Sequence, residues 1–293
     1  MSNGIHTMIT PHTKGILYVL LSAVTFSLST VFAKYITSTS PIHGIEVSFV
    51  RFLIGFIISS GYIIIHKMSI RPNHIPLVLT RAVSNTVAVI LFFVGVQYTT
   101  VTNANMLNMT YPVFVFVLAP LFNKERIVKI NFLYLMITLI GTYLVILPHY
   151  STINIGDIYS FLSAIISAIA VVALRESRKY DSTSIILFHL MSIGLVINGL
   201  AMIPVFTIPD TVTFVYMLLS GLSAYLGQAF FTAGFKFIDA TSGSIVSSSR
   251  IFIAACMGIY FFNDACTTNI IVGGLLITVA LIGVSLQEHK DIH

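Results

Sequence analysis

Ten apolar runs, each near the length of a membrane-spanning helix, follow one another along the chain of 293 residues. They cover approximately 15–36, 45–66, 75–96, 104–122, 130–147, 155–174, 184–204, 212–235, 241–262 and 269–286. About 20 apolar residues of helix span a bilayer. Only 9% of the residues are charged, against about 25% in soluble domains, which is too few for a water-facing surface. The sequence therefore predicts an all-α integral membrane protein with ten transmembrane helices.

The lysines and arginines lie in alternate loops between these runs. If the N-terminus is placed on the cytoplasmic side, the inside segments hold eleven of the 15 basic residues, and the outside loops hold none. The inside residues are Lys14, Lys67, Arg71, Lys124, Arg126, Lys129, Arg175, Arg178, Lys179, Lys236 and Lys290. Cytoplasmic loops are enriched in Lys and Arg, so we expect both termini to be cytoplasmic in a multi-pass protein of the cytoplasmic (inner) membrane, for a bacterial source. The first run is too long for a signal-peptide core, so we expect a span rather than a cleaved signal.

A weak internal repeat divides the chain. Residues 92–125 align without gaps with residues 231–264, at a constant offset of 139 residues. The identical pairs are Phe92 with Phe231, Gly95 with Gly234, Thr102 with Thr241 and Phe122 with Phe261, and Glu125 aligns with Asp264. An odd number of spans per repeat inverts the second copy, which is a common architecture of secondary transporters. We therefore predict two inverted five-helix repeats, residues 1–149 (spans 1–5) and 150–293 (spans 6–10).

Three stretches carry a resemblance to a known family. They read FVRF (49–52), LFFVGVQYTTVTNANMLNMTYPVFVFVLAPLFNKE (91–125) and FFTAGFKFIDATSGSIVSSSRIFIAACMGIYFFND (230–264). The short connection between spans 3 and 4, and the acidic residue after spans 4 and 9, resemble the ten-helix, EamA-type branch of the drug/metabolite transporter superfamily. The resemblance implies a central cavity lined by both halves, alternating access between them, and the export or import of amino acids, other metabolites or drugs.

Polar side chains in the middle of the spans mark a candidate site, because polar residues within a membrane are functional candidates. Arg250 lies about ten residues into the ninth run, near the midplane, and Tyr111 is its equivalent in the fourth run. Pro112 is expected to kink span 4. The predicted substrate-binding residues are Arg250, Tyr111, Asn108, Asn105, Ser247, Ser244, Asn85, Arg81, Gln228 and Tyr225. For Arg81 and for Arg51 in span 2, pairing with helix-end carbonyls or lipid headgroups is an equal alternative.

The acidic residues all lie in loops or near the ends of spans. They are Glu46, Glu125, Asp157, Glu176, Asp181, Asp210, Asp239, Asp264, Glu288 and Asp291. The charge deep in the membrane is therefore positive only. An unpaired guanidinium at that depth is costly, and a carboxylate or phosphate of a ligand is its natural partner. We therefore expect a secondary carrier that moves a small polar metabolite with an anionic group, such as an amino acid, by alternating access.

Other functions are compatible with parts of the pattern. An exporter of drugs or lipophilic cations is the first alternative, although the absence of a deep carboxylate argues against it. A channel is disfavoured by the inverted repeat, and a membrane-embedded enzyme by the absence of Asp-rich motifs and of a nucleophile elbow. Exchange, facilitated diffusion and proton coupling through the solute or His189 stay open, as does the oligomeric state. No cofactor, metal or nucleic acid is expected, because the histidines form no ligand cluster and the basic residues no single patch.

Overall fold

The computed structural model describes residues 10–126, 128–148 and 154–287, which form α-helices almost throughout. In chain order these are α1 (Pro11–Thr39), α2 (Gly44–Ile65), α3 (Ile75–Tyr98), α4 (Val101–Asn108), α5 (Tyr111–Phe122), α6 (Lys129–Ile146), α7 (Ile155–Ser177), α8 (Thr183–Met202), α9 (Thr211–Gly234), α10 (Ala240–Ser247), α11 (Ser249–Phe262) and α12 (Thr268–Leu286). A 3₁₀ turn, Ile203–Val205, follows α8, and the described ranges contain no β-strand.

Ten segments of the described chain are long and apolar enough to cross a membrane. Most are single helices, whereas α4 and α5 together make one span, Thr102–Phe122, and α10 and α11 make another, Ala240–Phe262. The segments match the ten predicted runs to within a few residues at each end. The predicted all-α fold with ten transmembrane helices is therefore confirmed, and the protein is a multi-pass membrane protein.

The fourth span is broken directly before its proline. α4 ends at Asn108 and α5 begins at Tyr111, so that Pro112 lies in the first turn of α5. Proline is tolerated there because the first N–H groups of a helix have no partner within it, whereas further inside a helix the ring clashes with the preceding turn. The irregularity predicted from Pro112 is therefore present, as a complete break between two helices.

The ninth span is also broken, although it contains no proline. Ser248 Oγ donates to the carbonyl oxygen of Ser244 at 3.1 Å, and Ser244 Oγ donates to that of Thr241 at 2.7 Å. Serine hydroxyls that bond back to the preceding turn bend helices. Ser248 aligns with Met109 of the other break at the repeat offset, so the two broken spans change direction at equivalent positions.

The two halves pack through equivalent pairs of helices. α1 packs along α9 and α7 packs along α3, while α2 packs on α8 and α6 on α12. Small residues permit the close approach: a Cβ added at Gly156 would lie 2.5 Å from the carbonyl oxygen of Gly95, and one added at Gly15 would lie 3.3 Å from that of Gly234. This pairing accords with two inverted five-helix repeats. The predicted division between residues 149 and 150 falls outside the described residues and stays a prediction.

The alternating spans place the loops at two ends of the bundle. One end, called the basic end below, carries Lys14, Lys67, Arg71, Lys124, Arg126, Lys129, Arg175, Arg178, Lys179 and Lys236. The opposite end, called the far end, carries Lys34 near the end of α1 and Asp264 after α11. Lys290 and both chain termini lie outside the described residues.

Candidate functional site

The two helix breaks meet in the interior of the bundle. The hydroxyl of Tyr111, at the start of α5, donates to the carbonyl oxygen of Ser244 in α10 at 3.4 Å and interacts electrostatically with Ser247. Arg250, in the first turn of α11, directs Nη2 toward Met109 Sδ at 3.4 Å. The structure thus brings four predicted site residues together, because each broken span delivers its polar turn to the same place.

The first helix holds the backbone at this junction. Ser27 Oγ of α1 donates to the carbonyl oxygen of Arg250 at 2.9 Å and to that of Ala23 at 2.8 Å. The bond to Arg250 ties α1 to the first turn of α11, directly beside the break. Ser27 therefore supports the site from outside the broken spans, a role that the sequence did not indicate.

Two further arginines lie in the interior close to Arg250. Arg51 of α2 donates from Nη2 to Gln228 Oε1 at 3.2 Å, and its guanidinium carbon lies 5.5 Å from the ring centre of Phe26 and 5.6 Å from that of Phe52. Such contacts with aromatic faces attract cations. The guanidinium of Arg51 is within electrostatic range of Arg250, and Arg81 is within range of Arg51.

Arg51 was not among the predicted substrate-binding residues. Its place in the sequence, near the outer end of span 2, gave no indication of which way its long side chain extends. In the structure, the side chain of Arg51 joins α2 to Gln228 of α9. We therefore define the arginine cluster as Arg51, Arg81 and Arg250, with Tyr111 and Gln228 beside them.

The arginine cluster is rich in donors that have no acceptor. Arg81 is only 2% exposed, and its Nε, like that of Arg51, is buried without a hydrogen-bond partner. The same holds for Asn85 Nδ2 and Gln228 Nε2. The ion pairs among the described residues involve other arginines and lysines, so none of these three guanidiniums is paired with a carboxylate there. Buried polar groups are normally satisfied, so this surplus of donors suits a ligand that is rich in acceptors.

Other predicted residues have partners within the fold. Asn108 donates from Nδ2 to Ser163 Oγ at 2.8 Å, and Ser163 in turn donates to the carbonyl oxygen of Ala88 at 2.8 Å. Tyr225 accepts from Ser59 Oγ at 3.2 Å and packs among apolar side chains of α2 and α8. Asn105 is half-buried on α4. Asn108 and Tyr225 therefore connect neighbouring helices.

At the basic end, a partly buried acidic residue joins the two halves. Glu125 accepts from the backbone N–H of Ala240, at the start of α10, with both oxygens at 3.0 and 3.1 Å, and Arg175 Nε lies 3.7 Å from it. Arg175 also donates to the carbonyl oxygens of Phe235 and Lys236 at 2.9 and 3.0 Å. Burial, and next the carboxylate of Asp239, raise the pKa of Glu125 above its ordinary value.

At the far end, the repeat-related residue makes a looser contact. Asp264 pairs with Lys34 of α1 at 2.8 Å, and both side chains are about half exposed, at 47% and 48%. The Lys34 ammonium also lies 4.3 Å from the ring centre of Phe262. Exposed ion pairs of this kind contribute little, so the contact at the far end is weaker than the one at the basic end.

The helices around the arginine cluster are packed unequally. Every residue of α10 is buried, and α10 packs on α5 at the basic end. In α11, on the far side of the break, only Ser249 and Gly258 are buried. On the side of the break toward the basic end, α10 is therefore enclosed by the rest of the chain, whereas α11 leaves much of its surface uncovered.

Known proteins are similar to this chain in sequence or in fold. The sequence model of the EamA-like transporter family matches residues 13–147 and again residues 154–286. The chain is 27% identical to the pseudopaline exporter CntI of Pseudomonas aeruginosa (strain UCBPP-PA14), over 92% of this chain and 95% of that protein. It is 22% identical to the S-adenosylmethionine uptake transporter of Rickettsia prowazekii (strain Madrid E), over 94% of each.

More distant matches extend the comparison. The chain is 24% identical to solute carrier family 35 member G1 of Homo sapiens, over 94% of this chain and 79% of that protein. A solved crystal structure shares the fold with a TM-score of 0.81 at 13% identity, covering 96% of this chain and 99% of that one. The related proteins are named as transporters or exporters of metabolites, which suggests a transporter rather than an enzyme. Because the family model covers nearly the whole chain in two copies, this protein belongs to the EamA-like transporter family.

Proposed function

We propose that this protein is a secondary carrier that moves a small polar metabolite bearing an anionic group, of the amino-acid type or related, across the cytoplasmic membrane. The observation that supports this most is Arg250. It lies at the junction of α10 and α11 and, among the described residues, contacts a thioether and a tyrosine rather than a carboxylate. A guanidinium at such depth is stabilised when a carboxylate binds it through two parallel N–H···O bonds.

Neutral groups on the helices that carry the arginine cluster would orient the rest of the solute. Tyr111, Asn85 and Gln228 offer a hydroxyl and amide groups, two of which have free N–H donors. A broken helix also exposes backbone groups that a solute can bind, as in other carriers with discontinuous helices. Lipophilic cations suit this site poorly, because three guanidiniums would repel them.

Alternating access would use the contacts at the two ends of the bundle. The Glu125 contact with Arg175 and Ala240 closes the basic end, and the Lys34–Asp264 pair is its counterpart at the far end. The two acidic residues are related by the repeat, so a rocking motion that breaks one contact would strengthen the other. Each half-cycle would then expose the arginine cluster to one side of the membrane.

The orientation follows from the charge of the loops. Cytoplasmic loops carry the excess of Lys and Arg in membrane proteins, so the basic end would face the cytoplasm, with both termini on that side. The described arrangement, closed at the basic end, would then be the state that receives solute from outside or has just released it there.

The experiment compares the metabolites of cells and medium for a transport-deficient host expressing the wild type or Arg250→Ala at matched membrane levels. Arg71→Ala is the control, because this exposed arginine lies in a loop of the basic end. We expect one anionic or zwitterionic metabolite to change compartment with the wild type and with Arg71→Ala, and not with Arg250→Ala. A metabolite that moves equally with Arg250→Ala would refute the role of Arg250 in binding.

A further inference from the structure

The three arginines of the cluster lie at different depths of the membrane. α2 starts at the far end, so Arg51 lies about 10 Å along the helix from that end. α3 starts at the basic end, and Arg81 lies about 9 Å along it. Arg250 is about 15 Å from the start of the ninth span, between the other two. The positive charges are therefore spaced along the direction of transport rather than gathered at one point.

A single carboxylate cannot pair with all three guanidiniums of the arginine cluster. A bidentate ion pair joins two carboxylate oxygens to a single guanidinium, which has five N–H donors of its own. Arg51 has one bond to a neutral amide, and Arg250 one to a thioether. Arg81 keeps a buried Nε without a partner. A ligand with one anionic group, bound at Arg250, would leave the buried Nε of Arg81 without a partner.

The protein itself supplies no charge that offsets the cluster. In the described ranges the acidic residues lie at helix ends and in loops, and those in ion pairs are bound to Lys34, Arg175 and Lys179. Three guanidiniums within electrostatic range repel one another, and the repulsion is strong in a medium of low dielectric constant. The negative charge that balances them must therefore arrive with the solute.

We infer, on the basis of the proposed carrier function, that the transported solute carries at least two carboxylate groups, one bound by Arg250 and another by Arg81. Arg51 lies in electrostatic range of both sites and is fixed by Gln228 and two phenylalanine rings, so it contributes to both carboxylates. The unpartnered amide N–H groups of Asn85 and Gln228 would donate to the remaining oxygens.

The test measures thermal stabilisation of the purified protein in detergent by glutarate, butyrate and inorganic phosphate at equal ionic strength. We expect glutarate to reach half-maximal stabilisation at a concentration about tenfold lower than butyrate, the effect of one further charge-assisted pair. Phosphate should need about the same concentration as butyrate for half-maximal stabilisation, because its charges lie on one small group that cannot reach both Arg250 and Arg81. Equal responses to glutarate and butyrate, equal responses to glutarate and phosphate, or no response to glutarate would overturn the inference.

Two variants tie the effect to Arg81. Arg81→Gln should be stabilised by glutarate only as weakly as the wild type is by butyrate. Arg81→Lys keeps the positive charge, so it should keep part of the preference for glutarate over butyrate. That remaining preference would show that the site is still folded. If Arg81→Gln folds and still prefers glutarate about tenfold, Arg81 is not the second binding group and the inference fails.

The metabolite comparison separates this inference from the proposed function. A transported metabolite with two or more carboxylates, dependent on both Arg250 and Arg81, supports both. A metabolite with a single anionic group that depends on Arg250 keeps the proposed function and overturns the inference. Transport that does not depend on Arg250 overturns the proposed function itself.

Discussion

At the scale of single residues, the site depends on pairs of groups that come from different helices. Tyr111 and Arg250 are equivalent in the repeat, yet one is a phenol and the other a cation. The phenol hydroxyl bonds α10 and lies within electrostatic range of Arg250 and Arg81. The two copies of the repeat therefore bring different chemistry to the same junction, a neutral hydroxyl from one and a positive charge from the other.

Replacing Tyr111 by phenylalanine tests this division. Tyr111→Phe removes the hydroxyl that bonds Ser244, while the ring stays buried. We expect transport to fall several-fold, and the free energy of unfolding by only about 1 kcal/mol, the usual net value of one hydrogen bond. Transport rate and thermal melting measure the two effects, with Tyr98→Phe, on an exposed tyrosine, as the control. Unchanged transport by Tyr111→Phe would show that the hydroxyl has no part in solute binding.

At the scale of elements, the proposed alternating access depends on the broken spans and on the contacts at their ends. Glu125 binds the first N–H of α10, where the helix dipole favours a negative charge. Its partner in the repeat, Asp264, binds a lysine in an exposed pair instead. The contact at the basic end is therefore the one whose loss should change the balance between the two states.

Removing the Glu125 side chain should open the basic end. Glu125→Ala loses the acceptor for Ala240 and the partner of Arg175, whereas Glu125→Gln keeps an oxygen for Ala240. With Thr241→Cys added in a background lacking the native cysteines, we expect faster thiol labelling in Glu125→Ala than in Glu125→Gln. Equal labelling rates in the two variants would mean that this contact does not hold the basic end closed.

The same carboxyl predicts a dependence on pH. In the closed arrangement the pKa of Glu125 is raised, first by burial and second by the carboxylate of Asp239. The bonds from Ala240 and Asn123 and the charge of Arg175 lower the pKa and offset part of this increase. Opening would expose it and return its pKa toward the ordinary value of 4.5. The closed arrangement therefore binds the proton more tightly, so closure is favoured below the raised pKa and less favoured as pH rises through it. The rate of thiol labelling at Thr241→Cys should fall on acidification when Glu125 is present. In Glu125→Gln the rate should not change with pH in this range.

At the scale of the whole molecule, the two halves are joined by helices that approach closely at glycine. Gly156→Ala would place a Cβ 2.5 Å from the carbonyl oxygen of Gly95, so α7 and α3 would have to separate. We expect a loss of about 1–3 kcal/mol in the free energy of unfolding, typical of overpacking. Gly61→Ala is the matched control, since nothing lies within 4 Å of a Cβ there. Equal melting temperatures for the two variants would contradict this packing.

The spans were predictable from sequence because length and apolarity alone decide what can cross a bilayer. An irregularity at Pro112 was predictable too, since proline removes a backbone hydrogen bond inside a helix, although a kink was expected rather than a break. The break at Ser248 was not, because serine bends a helix only when its hydroxyl bonds back, and sequence does not show that. The bonds of Arg51 to Gln228, of Asn108 to Ser163 and of Tyr225 to Ser59 were not predictable, because rotation of each helix about its own axis depends on its neighbours.

The most direct test of the central claim is counterflow in proteoliposomes, with the metabolite identified in the cell comparison. Vesicles are preloaded with unlabelled solute and diluted into a trace of labelled solute. The carrier account predicts a transient, saturable accumulation of label above its equilibrium level with the wild type, and none with Arg250→Ala. Label that equilibrates without overshoot in wild-type vesicles, at a rate proportional to its concentration, would indicate a channel and contradict the account.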